Sequence, residues 1–296
     1  MRILKLLLLF CVFSCNKKDK TLPASTGSSS EILFVSPDYL WENKLSNKVL
    51  DIFSQDIPGI AKSEPAFKIL HVNEGQLNSL LKTHTNIIII SSDSTFFEAN
   101  KWAKNQLVSY LFYNDDANRF NAECNNLFKI YYDKEITSLK NNLLKNSNST
   151  YSRDIQKYFN IDLVIPKEYI KNDTENTIMH FSYNPSNKEV IKHILIYKID
   201  NNSTDINYVI DQTNAILKQT LKGSRPNSYV IIEDSFPVEM YNGSYRALWK
   251  LHNGFMGGSL IIQPYYSSDE LILVCALVFD PGSKKRNYIK EFESIL

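Results

Sequence analysis

Glycine is scarce in this chain, nine residues in 296, and cysteine is scarcer still at four. With so little glycine there is no G-x-x-x-x-G-K-[ST] run, so a phosphate loop of that type is excluded. The cysteines show no paired spacing, and His71, His84, His180, His193 and His252 form no H-E-x-x-H pattern, which leaves no recognisable metal or cofactor motif. No G-x-S-x-G elbow is present either. Charge of one sign is also missing. The 33 basic and 32 acidic residues nearly cancel, and a neutral chain lacks the basic footprint of a nucleic-acid binder. Fixed-period repeats are absent, so solenoids and propellers are set aside. The longest aliphatic stretch at the N-terminus, Leu6 to Phe13, falls far short of the ~20 apolar residues that span a bilayer as a helix.

That short run is nevertheless informative. Arg2 and Lys5 precede it and "NKKDK" stops it, the order of a secretory targeting segment. Of its two cysteines, Cys11 follows bulky Phe10, whereas Cys15 closes "VFSC" and resembles a bacterial lipobox. The expected outcome is cleavage after residue 14, acylation of Cys15 by palmitate-type chains, and loss of Cys11 with the signal. Each buried CH₂ contributes about 0.8 kcal/mol, so two or three chains hold stably where one does not. Residues 15–30, polar and rich in serine, then read as a flexible tether. Loss of residues 1–14 would remove two basic residues and no acid, leaving one net negative charge.

Over the full chain 43% of residues are hydrophobic and 22% charged, the composition of a folded protein. "EILFV", "PAFKILHV", "TNIIIISS" and "QLVSYLFY" read as strands. Helices are expected after Ser36–Pro37, around "EGQLNSLLK", after the Thr95–Glu98 capping-box pattern and over 115–147, with Asp115–Asp116 as its N-cap. "KNSNSTYSR" (145–153) is the expected boundary between domains at 31–147 and 153–296. The second half reads as a short helix, the strand "IDLVIPKEY", a hairpin turning at "NPSN", a helix over 205–222, four strands and a closing helix. The fold class is therefore α+β: a mixed sheet with covering helices first, then an antiparallel sheet flanked by helices.

The strand ending at Pro166, the hairpin, the long helix, the meander and the closing helix resemble the fold shared by PsbP and Mog1 proteins. The segments "LWENKLSNKVLDIF", "IPGIAKSEPAFKILHV", "WAKNQLV", "YNGSYRALWKLHNGFMGGSLI" and "KKRNYIKEFESIL" resemble the domain-of-unknown-function 4837 family, lipoproteins of Bacteroidota. "MGGSL" departs from that pattern where proline would follow the glycine pair. The resemblance implies architecture and an envelope location, and it carries over no catalytic residue. "NKKDK" after Cys15 lacks the acidic stretch common in surface-exported lipoproteins of that phylum, so a periplasm-facing anchor is expected.

The segment 242–259, with two Asn-Gly pairs and Gly257–Gly258, admits two readings. As a ligand loop it would offer Trp249, His252, Met256, Gly257 and Gly258. As a strand between two turns it would bury Tyr245, Ala247, Trp249 and Leu251 on one face. His180 and His193 flank the hairpin and could make half of a metal site or be ordinary sheet histidines. Cys124 and Cys275 read as core residues, with a disulfide between them open in an oxidising compartment. The expected function is a non-enzymatic adaptor or assembly factor held at a membrane by its N-terminal lipid, with an envelope protein as partner. A small-ligand-binding lipoprotein and an envelope hydrolase are the alternatives. No cofactor, metal, catalytic residue or nucleic-acid partner is assigned.

Overall fold

The computed structural model describes residues 21–174, 177–199, 205–266 and 270–296. Cys11, Cys15 and the segment expected to be a signal lie outside the described residues. Helix and strand each make up 33% of the described residues, the even mixture that an α+β reading requires.

The first half holds a five-stranded sheet in the order β2-β1-β3-β5-β4. Strands β1 (Glu31–Val35), β2 (Lys68–Val72), β3 (Asn86–Ser91) and β5 (Leu107–Phe112) run parallel, and β4 (Phe96–Ala99) is an antiparallel edge. Uninterrupted aliphatic runs such as "IIII" suit strands that are covered on both faces. One face packs Ile32, Phe34, Ile88 and Leu111 under α2 (Ser46–Phe53) and α3 (Ala117–Lys145). The other, with Leu33, Val35, Ile87 and Val108, is covered by loops carrying Leu77, Leu81 and Trp102.

The second half forms an eight-stranded antiparallel sheet in the order β10-β11-β12-β13-β8-β7-β6, with β9 beside β11. Its members are β6 (Ile170–Asn172), β7 (Ile178–Tyr183), β8 (Ile191–Ile199), β9 (Tyr229–Ile232), β10 (Glu239–Tyr241), β11 (Ser244–His252), β12 (Gly257–Tyr266) and β13 (Leu271–Phe279). Period-two alternation divides β13 between two cores. Leu271, Leu273, Cys275 and Leu277 meet Val209 and Leu217 of α5 (Ile206–Thr220). Ile272, Val274, Ala276 and Val278 meet Ile155 and Phe159 of α4 (Ser149–Phe159), with Phe292 and Ile295 of α6 (Lys285–Ile295).

Helix α6 belongs to both halves. Ile289 enters the first-half core while Phe292 and Ile295 enter the second. Its Lys290, only 1% exposed, donates to Glu135, to Ser30 and to the Ala66 carbonyl. No described helix is long and apolar enough to cross a membrane.

Several expectations are corrected. Thr95–Glu98 opens no helix. Phe96–Ala99 pairs along β5, and the Thr95 hydroxyl accepts from the Phe112 amide. "EGQLNSLLK" forms two short 3₁₀ turns, Glu74–Gln76 and Leu81–Thr83. Ser36 does not cap. A three-residue turn α1 (Asp38–Leu40) and a π turn (Trp41–Leu45) lead into α2, and the Ser36 hydroxyl lies 3.1 Å from His71 Nε2 instead. "IDLVI" is buried but unpaired as a strand, since its Leu163 and Ile165 plug the α4 core. The segment expected to be flexible through residue 30 is held from Pro23 onward. The Pro23 carbonyl accepts from Lys104, Thr26 pairs with Thr83 and Thr85, and Ser30 is buried.

Candidate functional site

The clearest concave surface with a coherent chemistry lies at one end of the second sheet. It is a cleft of about 540 Å³ lined by Lys218, Lys222, Gly223, Arg225, Asn227, Ser228, Tyr229 and His252. Three local facts build it. Helix α5 ends at Thr220, where Leu221 turns extended and Lys222 Nζ caps the Lys218 carbonyl at 2.5 Å. The loop 223–228 closes on itself through the Gly223 amide to the Ser228 carbonyl at 2.9 Å. Beyond it, β9 pairs with β11, which sets Tyr229 opposite His252 and stacks their rings at 4.7 Å.

Cations dominate this cleft. Lys218 Nζ stands 4.7 Å from the Tyr229 ring centroid, and the Arg225 guanidinium 5.2 Å from that of Phe255. Lys218, Lys222 and Arg225 make no ion pair among the described residues. Residues 212–232 and 240–266 contain no aspartate or glutamate, so neither chain segment supplies a counter-charge. The Ser228 hydroxyl, 3% exposed, has no hydrogen-bond partner among the described residues. A buried, unsatisfied hydroxyl costs roughly 1–3 kcal/mol, and this one packs against Gly223, where a Cβ would stand 2.1 Å from it. The arrangement can therefore bind an anion, and it offers no nucleophile–base pair.

Of the residues singled out from sequence, His252 lines this cleft and Met256 packs beside it against the α5 core. Trp249 is buried, and its indole N–H donates to the Val278 carbonyl at 3.0 Å. Gly258 makes that bond possible, because a Cβ there would stand 2.1 Å from the Val278 oxygen. A Cβ on Gly257 would crowd the Trp249 carbonyl at 2.9 Å. Both glycines and Trp249 thus serve the sheet, and 242–259 folds as a strand between two turns, with Asn242 and Gly243 at positive φ in the first. Lys218, Lys222, Arg225 and Ser228 were missed. The two acid-free runs were readable in the sequence, but only β9–β11 pairing brings them together.

The other reactive-looking groups are accounted for by structure. His180 Nε2 and His193 Nδ1 are 2.9 Å apart on neighbouring strands. Burial pushes His180 down to about 4, and burial followed by the neighbouring imidazole pushes His193 to about 3, so both are neutral at pH 7. No group of three or more His, Cys, Asp or Glu among the described residues is placed to hold a metal. His71 Nε2 lies 3.1 Å from both the hydroxyl and the carbonyl oxygen of Ser36. A carbonyl only accepts, so that nitrogen carries the proton and cannot act as a base toward the serine. Cys124 and Cys275 are free, buried and in separate cores. Burial raises both thiols, Cys124 to about 12, which removes thiolate chemistry.

A second cleft, of about 490 Å³, includes Lys192, Asp280 and Tyr288. There Lys192 donates twice to Glu291 at 2.7 Å and Tyr288 bonds Asp280 at 2.5 Å, and the lining also includes Lys188 and Glu189, one charge of each sign.

Two family models match the chain. One, described as Domain of unknown function (DUF4837), matches residues 147–296, and another, Domain of unknown function (DUF8532), matches 25–144. No curated protein matches. Among solved structures, the chain is similar to LpqN of Mycobacterium tuberculosis, described as involved in cell envelope biogenesis. Identity is 12% over 45% of this chain and 78% of that one, with a TM-score of 0.27. A STAR-related lipid transfer protein fragment from Xanthomonas axonopodis shows 11% identity, covering 44% and 94%, with a TM-score of 0.24. The human StarD13 lipid transfer and protein localization domain shows 8%, covering 50% and 93%, with a TM-score of 0.22. These likenesses are slight and carry no argument about function.

Proposed function

We propose that the chain, which belongs to the DUF4837 family, is a non-enzymatic, lipid-anchored protein of the cell envelope. In this reading Cys15 holds it to a membrane, facing the periplasm, and the body serves as an adaptor or assembly factor that engages an anionic envelope component in the α5–β11 cleft. The observation that carries the reading is the pairing of uncompensated cations with a buried, unpartnered hydroxyl. Lys218, Lys222 and Arg225 have no acidic partner among the described residues, and Ser228, whose buried hydroxyl has no partner among them, lines the same cleft. Charge-assisted hydrogen bonds to an anion are about twice as strong as neutral ones, and arginine presents a fork suited to phosphate or carboxylate.

The volume, about 540 Å³, lies within the range of small-molecule sites. That favours, as a second reading, a small anionic ligand bound for its own sake rather than one displayed on a larger envelope partner.

Pyrophosphate is a suitable first probe. Titrated into the full-length protein and followed by the His252 ring resonances, it is expected to give a saturable shift. The exposed double variant Lys218→Glu/Arg225→Glu is expected to abolish it while leaving the thermal midpoint unchanged. Absence of a saturable shift in the native protein would remove the binding reading. For the anchor, palmitate labelling and membrane fractionation of the native chain are compared with Cys15→Ala. Label retained by that variant would remove the assignment of Cys15.

A further inference from the structure

The same end of the molecule carries a feature that an anion-binding cleft alone does not explain. Phe255, at the tip of the β11–β12 hairpin, is 92% exposed, more than any other large apolar side chain among the described residues. The Arg225 guanidinium lies over its ring, 5.2 Å from the centroid. The hairpin tip from Asn253 to Met256 bears no charge, so moving it out of water desolvates no ion. Just behind the tip stand Lys218, Lys222 and Arg225, with neither acid-free segment supplying a counter-ion.

Resting on the binding reading of this cleft, we propose that this end of the second sheet docks on an anionic bilayer surface. Phe255 enters the headgroup layer, and Lys218, Lys222 and Arg225 meet lipid phosphates, one of which the cleft receives. An aromatic ring that leads into the interface, backed by cations, is the arrangement that interfacial attachment uses. Charge complementarity selects the occupant: a basic group beside an anionic leaflet strengthens attachment about fivefold. The consequence is orientation. A lipid at Cys15 would leave the body free to tumble, whereas a second contact at Phe255 would hold one end of the sheet against the membrane.

The test uses the full chain with its N-terminus as the cell leaves it, reconstituted into vesicles with brominated acyl chains. One set is phosphatidylcholine alone and the other includes phosphatidylglycerol. Phe255→Trp adds a reporter to Trp41, Trp102 and Trp249. Bromine quenching above that of the native chain is expected in the phosphatidylglycerol vesicles. It should be lost at high salt and when Lys218→Glu/Arg225→Glu is added, with each lost cation weakening attachment about fivefold. No added quenching in either vesicle overturns the proposal. Equal quenching in both, insensitive to the charge reversals, also overturns it, because the lipid phosphates then play no part. If pyrophosphate still binds the cleft in either of those cases, the binding function stands and only membrane docking falls.

Discussion

The Trp249 indole N–H reaches the Val278 carbonyl at 3.0 Å by crossing directly over Gly258, its own cross-strand partner. The bond links β11 to β13 past the strand that separates them, and it exists because Gly258 has no side chain. Gly258→Ala would place a carbon 2.1 Å from the Val278 oxygen, so backbone must move or the bond must break. Overpacking costs of this kind run to about 1–3 kcal/mol, and the lost bond adds about 1. Gly243→Ala is the control. Nothing lies within 4 Å of its added carbon, although φ is +77°, and about 1 kcal/mol is expected from the backbone alone. Urea unfolding of both variants measures the difference, and equal losses would remove the steric account.

Arg246 is completely buried, and its guanidinium pairs with Glu293 of α6, which also accepts from the Tyr132 hydroxyl at 2.6 Å. Its Nε and Nη1 have no partner among the described residues, so Glu293 carries nearly all the compensation for a buried cation. Glu293→Met is expected to cost about 3–5 kcal/mol, while the double change Arg246→Met/Glu293→Met should recover most of that loss. A double-mutant cycle on denaturant unfolding reads the coupling. Additive losses would mean that the two side chains do not act as a pair.

The histidine pair predicts acid sensitivity. In the unfolded chain His180 and His193 titrate near 6.5, and burial lowers them to about 4 and about 3. Between those values the unfolded state holds more protons than the folded one. Stability is therefore full above about pH 6.5 and declines as pH falls toward 4. The slope approaches about 1.4 kcal/mol per pH unit for each proton taken up on unfolding. Denaturant melts across this range should show it, and His180→Leu/His193→Leu should flatten it. A slope unchanged in that variant would assign the acid sensitivity elsewhere.

Cys124 and Cys275 are predicted to be silent toward a thiol reagent in the folded protein. Both are wholly buried, one under the first sheet and one in β13, and burial disfavours the thiolate in each. Reaction should begin only when urea unfolds the chain. Fast labelling in the native state would contradict their placement.

Much of the second half was legible because its elements announce themselves locally. The unbroken apolar run "LILVCALVF" marked β13 as a buried strand, alternation of Tyr245, Ala247, Trp249 and Leu251 marked β11, and the apolar side Ile206, Val209, Ile210, Ile216, Leu217 and Leu221 marked α5. The Thr95–Glu98 pattern misled because a capping box is a weak local preference, and pairing of Phe96–Ala99 with β5 outweighs it. "EGQLNSLLK" misled for a related reason. Its Asn73–Gln76 box does form, but around a single 3₁₀ turn, since Leu77 leaves the helical region. The cleft was half legible. His252 was singled out, whereas Lys218, Arg225 and Ser228 sit on a helix end and a loop that reach it only through β9.

By itself the sequence determined where the longer helices and most strands would form, and it marked Cys15 as the residue expected to take a lipid. Those features depend on neighbours within a few residues: side-chain period, caps, turns, and a short apolar run with charged flanks. The tertiary structure decided what no local pattern encodes. It placed α6 in both halves, buried Arg246 against Glu293, let Trp249 reach Val278 over a glycine, and gathered three cations around one cleft with Arg225 over the Phe255 ring. The reason is that desolvation and charge pairing depend on which distant surfaces close over a side chain, and sheet topology sets that.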